Sequence, residues 1–273
     1  MLSNSEDYYA LLSRNVRKNI LELIYRTKSP HLGSSFSIVE ILVALYFKVL
    51  NIKPEDPFYS DRDRFILSKG HGCPALYSIL EERGFISEKD LLGFAINNGV
   101  LEQHPNIDIK KGIEVTTGSL GHGLSIGVGM ALAAMKGHKG YKVYVLLSDG
   151  ELNEGSVWEA AMFAAKHKLD NLVAVIDYNK IQALGYTEDI VQLEPLTQKW
   201  TSFGWSVMEI DGHNFEQIFK AFGNVPFEAH KPSAIIAHTV KGKGVSFMED
   251  KLIWHYRCPD DDEYSSAIEE LSS

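Results

Sequence analysis

The sequence predicts an α/β protein in which helices cover both faces of a doubly wound, mostly parallel sheet. Two apolar segments, 143–147 and 172–176, have the length and composition of buried strands, and a helical pattern lies between them. A strand, a helix and a strand of this length form a right-handed crossover that leaves the two strands parallel. The same alternation continues with a strand over 205–210, a helix over 214–222 and a strand over 234–238.

The first half of the chain supplies further helices and one more strand. Apolar residues recur at helical spacing near the N-terminus, and the pattern stops at Ser29-Pro30, because the residue before a proline disfavours the helical conformation. In the crossover, we expect Asn153 to cap a helix whose inner face carries Val157 and Ala164. The further predicted elements are helices over 7–26, 38–50, 74–83 and 124–135 and a strand over 65–67.

Composition and charge exclude several classes of function. A hydrophobic content of 45% and a charged content of 23% are ordinary for a globular protein, and the net charge of −9 argues against nucleic acid or an anionic membrane as partner. The longest apolar stretch, 38–50, is too short to span a membrane, and the polar residues 1–7 predict no signal peptide. Cys73 and Cys258 form no disulfide framework, so we expect a cytoplasmic protein.

Polar side chains follow the two strands of the crossover. Asp149-Gly150 comes directly after the first strand, and Asn179 follows the second about thirty residues later. Because parallel neighbours end at the same edge of a sheet, we expect these side chains to meet where open α/β sheets bind ligands. A carboxylate and an amide oxygen suit Mg²⁺ shared with a diphosphate, and a helix N-terminus favours anions. The spacing alone equally allows an Asp-Gly turn and an asparagine that only caps a loop.

Several sequence blocks resemble the N-terminal, diphosphate-binding half of transketolases over about residues 13–255. One is the Asp-Gly pair with its distant asparagine, which is similar to the thiamine diphosphate signature. The other blocks occur in the family's order, at 29–33 (SPHLG), 61–72 (DRDRFILSKGHG), 117–123 (TGSLGHG) and 241–244 (KGKG). The resemblance implies the thiamine diphosphate-binding fold and, as cofactors, thiamine diphosphate with Mg²⁺.

The resemblance also implies which residues bind the cofactor. Asp149, Asn179 and the backbone carbonyl of Ile181 correspond to the family's metal ligands. The residues that correspond to positions around the diphosphate and the aminopyrimidine ring are His71, Gly150, His255, Gly118 and Leu120. Lys241 and Lys243 follow the last strand, where they could meet phosphate or form a solvated basic turn.

Two histidines correspond to catalytic positions of the family. His31 matches a histidine that lines the substrate channel, and His104 matches one that contacts the donor sugar and the reacting centre. Both are expected to hydrogen-bond the sugar and to assist proton transfer. The chain departs from the family beside each of them, with Leu32 where proline is usual and Gln103 where glycine is usual.

Other departures bear on the substrate. Ala183 and Leu184 replace a usual Ile-Asp pair, and the alanine predicts a roomier pocket for a bulkier or deoxygenated sugar. His122 stands where glutamine is usual, and we expect it to line the site. No role is predicted for the remaining histidines, which are His138, His167, His213, His230 and His238.

The resemblance implies half of an enzyme. Residues 1–273 correspond to a single thiamine diphosphate-binding domain, the half that binds diphosphate and Mg²⁺, and the pyrimidine-binding and C-terminal domains are absent. The glutamate that activates the cofactor belongs to the pyrimidine-binding domain. We therefore expect the N-terminal subunit of a split transketolase, assembled with a separate C-terminal chain as an α₂β₂ heterotetramer. It would transfer a two-carbon ketol unit from a ketose phosphate to an aldose, with Glu154 at the subunit interface.

Three alternatives remain open from the sequence. One is another thiamine diphosphate carboligase, of the 1-deoxyxylulose-phosphate synthase type, which pyruvate dependence would reveal. A second is a non-catalytic domain that binds thiamine diphosphate without a partner chain. The third is an α/β scaffold that binds no cofactor and uses this face for protein contacts.

Overall fold

A computed structural model describes residues 3–273, with side chains from Tyr8 onward, and contains one five-stranded parallel sheet. The strand order is β1-β2-β3-β5-β4, and all neighbouring pairs are parallel. The strands are β1 (Arg64–Leu67), β2 (Val143–Ser148), β3 (Leu172–Tyr178), β4 (Ser206–Asp211) and β5 (Ser233–His238).

Helices connect these strands on both sides of the sheet. Among the described residues the α-helices are α1 (Ser3–Thr27), α2 (Leu32–Phe36), α3 (Val39–Ala44), α4 (Cys73–Glu82), α5 (Glu88–Leu92), α6 (Gly123–Lys136), α7 (Gly155–Lys166), α8 (Thr187–Ile190), α9 (Leu196–Ser202), α10 (Phe215–Gly223) and α11 (Asp261–Glu270). Short helical turns lie at Leu45–Val49, Gly70–Gly72, Ile109–Lys111, Gly150–Asn153 and Leu252–His255.

The sheet separates two apolar cores. Tyr144 and Leu146 of β2 face a core built with α1, α3, α4 and α10, whereas Val145 and Leu147 face a second core with α6, α7 and α9. Side chains alternate along a strand, so a strand that is apolar throughout must be covered on both faces. The predicted doubly wound α/β architecture is confirmed.

The crossover places the predicted ligands side by side. In the β2–β3 ladder Ser148 is the register partner of Asp177, and the Asp149 amide donates to the Asp177 carbonyl at 3.2 Å. β3 continues to Tyr178, two residues beyond the predicted end, because it also pairs with β5 as far as His238. Asp149 and Asn179 therefore both emerge at the carboxyl edge of the sheet.

The predicted helix over 38–50 is confirmed, because α3 runs directly into a π-helical turn at Leu45–Val49. A separate helix, α2, precedes it and was not predicted, and Ser37 lies in the break between the two. The break lets the Ser37 hydroxyl donate to the Asp177 carboxylate at 2.8 Å, a contact that the apolar pattern could not predict. The stretch Leu32–Val49 is long and apolar enough by composition to cross a membrane, but 83% of it is buried inside the fold, as in the core helix of a globular protein.

The prediction that Asn153 caps the crossover helix is wrong. α7 begins at Gly155 with Glu154 at the N-cap position, and Asn153 lies in the preceding short turn. The Asn153 amide donates to the Gln182 side chain at 3.2 Å, so it links two loops instead of capping a helix. The buried face of the helix is as predicted, since Val157 and Ala164 are fully buried.

Candidate active site

A cavity of about 270 Å³ opens at the carboxyl edge of the sheet. Nine of the ten predicted site residues line it, namely His31, His71, His104, Leu120, Asp149, Gly150, Asn179, Ile181 and His255. The tenth, Gly118, lies beside His104, where an added Cβ would come within 3.6 Å of the imidazole ring. Segments from seven parts of the chain thus converge, and the role of each residue remains a prediction.

Asp149 is held by two backbone amides. Its oxygens accept hydrogen bonds from the Gly150 amide at 2.7 Å and the Lys180 amide at 2.5 Å. The second bond depends on Lys180 adopting a left-handed conformation, with φ of 67°. Burial, together with the nearby Asp177 carboxylate, raises the pKa of Asp149 to about 6. A bound cation would favour the ionised carboxylate here.

Asp177 fixes the orientation of Asn179. The Asn179 Nδ2 group donates to Asp177 at 2.9 Å, so the amide oxygen is the atom left for other partners, and it accepts from the Ile181 amide at 3.1 Å. Asp177 is fully buried and also accepts from Lys69 at 2.6 Å and from Ser37 and Thr239. Burial would raise the pKa of Asp177, but the Lys69 ammonium more than offsets this and lowers it. Asp177 is therefore an ionised support beneath the predicted metal ligands.

Lys241 is a buried cation in the cavity wall. Its side chain is 1% exposed, and its Nζ donates to the Ile181 carbonyl at 2.8 Å and lies 2.9 Å from His255 Nδ1. Neither contact carries a negative charge, and burial lowers the pKa of the ammonium to about 8. A buried charge is costly unless it is paired. A diphosphate bound in the cavity would place an anion in contact with this ammonium.

Lys243, the second lysine of this block, is not part of the cavity. It lies at the surface and forms an ion pair with Glu249 at 3.2 Å. The two interpretations that the sequence left open thus apply to different residues. Lys241 faces the site, and Lys243 belongs to a solvated turn.

Three imidazole rings cluster above the lysine. The ring centroid of His31 lies 5.0 Å from that of His71 and 5.1 Å from that of His255. Burial lowers the pKa of His31 to about 4 and that of His255 to about 3, and it lowers the pKa of His71 well below its usual value. All three rings are therefore neutral near pH 7, and each can both donate and accept a hydrogen bond.

The backbone also shapes this cluster. His31 has a φ of 75°, a left-handed conformation that is uncommon for a residue with a side chain. Its amide donates to the His255 carbonyl at 3.0 Å, and its own carbonyl accepts from the Ser35 amide at 3.1 Å. Strained backbone of this kind concentrates at functional sites, where neighbouring contacts hold it in place.

A buried glutamate organises the glycine-rich loop. Glu151 accepts hydrogen bonds from the Gly121 amide at 2.8 Å, from the Ser148 amide at 3.2 Å and from the Ser68 hydroxyl. An added Cβ at Gly123 would come within 2.2 Å of the Ser68 hydroxyl, so only glycine allows this approach. Leu120 reaches the cavity because Glu151 and this close approach fix the loop beside it.

One expectation about the lining is wrong. His122 is exposed at the N-cap position of α6 and does not line the cavity. Leu184, the other departure from the family at this site, is 78% exposed and also lies outside the cavity. Ala183 does line the site, and its carbonyl accepts a hydrogen bond from the Tyr256 hydroxyl at 2.6 Å.

Sequence reasoning missed several supporting residues. Lys69, Asp177 and Glu151 have buried partners that are distant in the sequence, so no local pattern reveals the pairs. Gln182 lines the cavity, and its buried Nε2 group has no hydrogen-bond partner within residues 3–273. A buried donor without a partner is rare, and a ligand oxygen would satisfy it. Only one sequence feature could have indicated Lys69, which is its position two residues after the end of β1.

The donor set fits Mg²⁺ bound together with a diphosphate. Within residues 3–273 no group of three or more His, Cys, Asp or Glu side chains is arranged for a metal. Asp149, Asn179 and the Ile181 carbonyl instead offer three oxygen ligands of different kinds. Mg²⁺ commonly takes one or two carboxylates and completes its octahedron with phosphate oxygens and water. The Ile181 carbonyl has two lone pairs, so the Lys241 contact leaves one for a metal.

Comparison with known proteins agrees with this geometry. Residues 10–271 match the family model described as "Transketolase, thiamine diphosphate binding domain". The chain is 46% identical over 264 residues to one subunit of an apulose-4-phosphate transketolase from Phocaeicola vulgatus, covering 96% of this chain and 93% of the relative. It is 45% identical over 256 residues to the 6-deoxy-6-sulfo-D-fructose transketolase subunit SqwG from a Clostridium species, covering 94% and 93%.

Solved structures give the same result for the fold. The crystal structure of transketolase from Campylobacter jejuni superposes with a TM-score of 0.90 at 29% identity, covering 97% of this chain. This chain spans only 42% of that transketolase, although it spans nearly the full length of the two subunit relatives. From the family match over residues 10–271 and these identities, we conclude that the chain belongs to the transketolase thiamine diphosphate-binding domain family.

Proposed function

We propose that this chain is the N-terminal subunit of a split transketolase, binding thiamine diphosphate and Mg²⁺ and acting only with a separate C-terminal chain. The observation that carries the proposal is the buried Lys241 ammonium, which faces the same cavity as Asp149 and Asn179 and forms no ion pair with any side chain from Tyr8 onward. Oxygen ligands beside a buried cation suit a metal-bound diphosphate better than a neutral ligand.

Each part of the cofactor has a set of residues to hold it. Asp149, Asn179 and the Ile181 carbonyl would hold Mg²⁺, and Lys241 with His71, His255 and Gly150 would hold the diphosphate. Leu120 and Gly118 would pack on the aminopyrimidine ring. Thiamine diphosphate held by these residues would supply the nucleophilic carbon that two-carbon transfer needs.

The chain's own contribution to the chemistry is proton handling at the sugar. His31 is neutral near pH 7, because burial lowers its pKa to about 4, so its ring can donate or accept a hydrogen bond at a sugar hydroxyl while that hydroxyl loses or regains its proton. His104 lies at the exposed rim of the same cavity, where it can hydrogen-bond the donor. The proposed reaction transfers a ketol unit from a ketose phosphate to an aldose.

A partner chain is supported by the rim of the cavity. Exposed apolar side chains lie in two chain segments that each also contribute to this rim or to the cavity lining. The segment around His104 carries Ile96, Val100 and Ile107, and the segment after Ala183 carries Leu184, Tyr186, Ile190 and Val191. Exposed apolar patches of this kind mark protein interfaces. The two relatives that match nearly end to end are themselves named as subunits. We propose an α₂β₂ assembly with Glu154, which is exposed, at an interface.

The sugar is expected to differ from the common pentose and heptose phosphates. Ala183 lines the cavity where the family usually has isoleucine, which leaves space beside the cofactor. One relative is named for a 6-deoxy-6-sulfo sugar, so a donor that is deoxygenated at a terminal carbon fits this proposal. Both cysteines are free thiols, and we propose that the complex works in the cytoplasm.

The test is purification of the chain from its own cells, with and without thiamine diphosphate and Mg²⁺, followed by native mass measurement. We expect an equimolar complex with a second chain that binds thiamine diphosphate and transfers ketol units. A complex that needs pyruvate would indicate the 1-deoxyxylulose-phosphate synthase type. A lone chain that binds the cofactor and catalyses nothing would instead be a non-catalytic domain, and a chain that never binds it would refute the proposal.

A further inference from the structure

A buried polar chain connects the N-terminal helix to the loop that carries Lys241. Arg17 donates to both oxygens of Glu40, at 2.6 and 2.8 Å. Glu40 Oε2, which accepts from Arg17, also lies 2.8 Å from His213 Nδ1, and the Val240 amide donates to His213 Nε2 at 2.9 Å. Four segments that are far apart in the sequence meet in this chain of contacts, which lies outside the cavity.

The direction of these hydrogen bonds fixes the state of the histidine. A backbone amide can only donate, so His213 Nε2 accepts from Val240 and carries no proton. Nδ1 then carries the proton and donates to Glu40. Burial would raise the pKa of Glu40, but the Arg17 guanidinium and the His213 contact more than offset this and lower it to about 2. The carboxylate is therefore charged and holds the ring in one tautomer.

The residue held by His213 stands between two residues of the site. On one side of Val240, the Thr239 hydroxyl donates to Asp177, the support of Asn179. On the other side, Lys241 turns into the cavity and reaches the Ile181 carbonyl. The Val240 amide is beyond the β5 ladder, which ends at His238, so the imidazole replaces the missing strand partner.

We propose that His213 is a positioning residue for the Thr239–Lys241 turn, and that it acts through this turn on the binding of thiamine diphosphate and Mg²⁺. It touches neither the cavity nor any predicted ligand of the cofactor. The inference rests on the proposed function. Groups that orient metal and cofactor ligands from behind typically change affinity by about 10- to 100-fold when they are removed.

The first test measures cofactor affinity by titration calorimetry on the complex of this chain with its partner subunit, at saturating Mg²⁺. We expect His213→Ala to raise the Kd for thiamine diphosphate about tenfold, and to leave kcat at saturating cofactor within about twofold. His213→Gln should recover most of the affinity, because its side-chain oxygen reaches the Nε2 position. His213→Asn reaches only the Nδ1 position and should bind as weakly as the alanine variant.

The matched control is His238→Ala. His238 is on the same strand end, two residues before Val240, but it is exposed and pairs with Glu209 at 2.8 Å. Its removal should leave the Kd unchanged. If His213→Ala does not fold, the comparison of His213→Gln with His213→Asn decides the question, and equal affinity in these two variants would overturn the proposal.

A second measurement needs no cofactor. Amide hydrogen exchange on the chain alone should become faster at residues 239–242 in His213→Ala, with β2 and β3 unchanged. An even rise across the whole sheet would mean that His213 only stabilises the fold, which contradicts the proposal. If the wild-type complex binds no thiamine diphosphate, the proposed function fails, and the exchange result still decides whether His213 holds this turn.

Discussion

The two sides of the cavity are built differently. On the diphosphate side, Asp149, Asn179 and Lys241 are buried, and each is held by hydrogen bonds to the backbone or to Asp177. On the sugar side, His104 is exposed at the rim. The first side is preorganised within this chain, and the second has a large open surface. From this difference we expect mutations on the buried side to change cofactor affinity, and mutations on the exposed side to change the reaction with sugar.

The largest expected effect is on the buried side. Asp149→Asn keeps the shape of the side chain but removes the only carboxylate of the proposed metal set. We expect the Kd for Mg²⁺ in the presence of thiamine diphosphate to rise about 100-fold, equivalent to about 2.7 kcal/mol. Titration of Mg²⁺ against the circular dichroism of the bound cofactor would measure this. An affinity within about threefold of wild type would mean that Asp149 is not a metal ligand.

Mutation of the exposed side should impair ketol transfer and leave cofactor affinity unchanged. His104→Ala is expected to lower kcat/KM for ketol transfer about 100-fold, because a positioned proton-transfer or hydrogen-bonding group is lost. The Kd for thiamine diphosphate should stay within about twofold of wild type. Steady-state kinetics and calorimetry on the same preparation test both halves of this statement. A parallel loss of cofactor affinity would show that the two sides are coupled after all.

The neutral histidines make stability depend on pH. The pKa of His31 is about 4 in the folded chain and 6.5 is its ordinary value, so the unfolded chain binds the extra proton first as pH falls. The stability that this group contributes is complete above pH 6.5 and is lost between pH 6.5 and pH 4. Between pH 6.5 and pH 4 the free energy of unfolding, measured with urea, should fall by about 2 kcal/mol less in His31→Asn than in wild type. Equal slopes would mean that folding does not lower the pKa of His31.

The smallest effect concerns backbone strain on the buried side. Lys180 is exposed but left-handed, so Lys180→Gly should raise the free energy of unfolding by about 0.5–1 kcal/mol. Lys180→Ala is the matched control, because it removes the same side chain and keeps the strain. Both variants retain the amide that donates to Asp149, so the metal affinity should not change. Thermal unfolding would detect the difference, and equal stability of the two variants would contradict it.

The sequence predicted the parts of the fold that depend on local pattern. The parallel crossover placed Asp149 beside Asn179 because strand lengths and handedness leave one arrangement. The site histidines were predicted only from the resemblance to the family, because nothing in the local pattern around His31 or His255 indicates a cavity. Their convergence in one site was found only in the structure.

The buried contacts that support the site could not be predicted, because they join side chains that are far apart in the sequence. Lys69 and Asp177 are 108 positions apart, and Glu40 and His213 are 173 apart. Neither pair has a periodic signal. The hydrogen bond from Ser37 was not predicted for the same reason, because its acceptor, Asp177, lies 140 positions away.

The pairing of β2 with β3 affects which surfaces of this domain can change during evolution. The distance between Asp149 and Asn179 is set by main-chain pairing of Ser148 with Asp177, and the helix that joins the two strands does not contribute to it. The outer face of α7 carries Met162 and Phe163, both exposed, and it can vary without moving either ligand. Selection can therefore reshape this outer face for new neighbours while the metal-binding geometry is inherited unaltered.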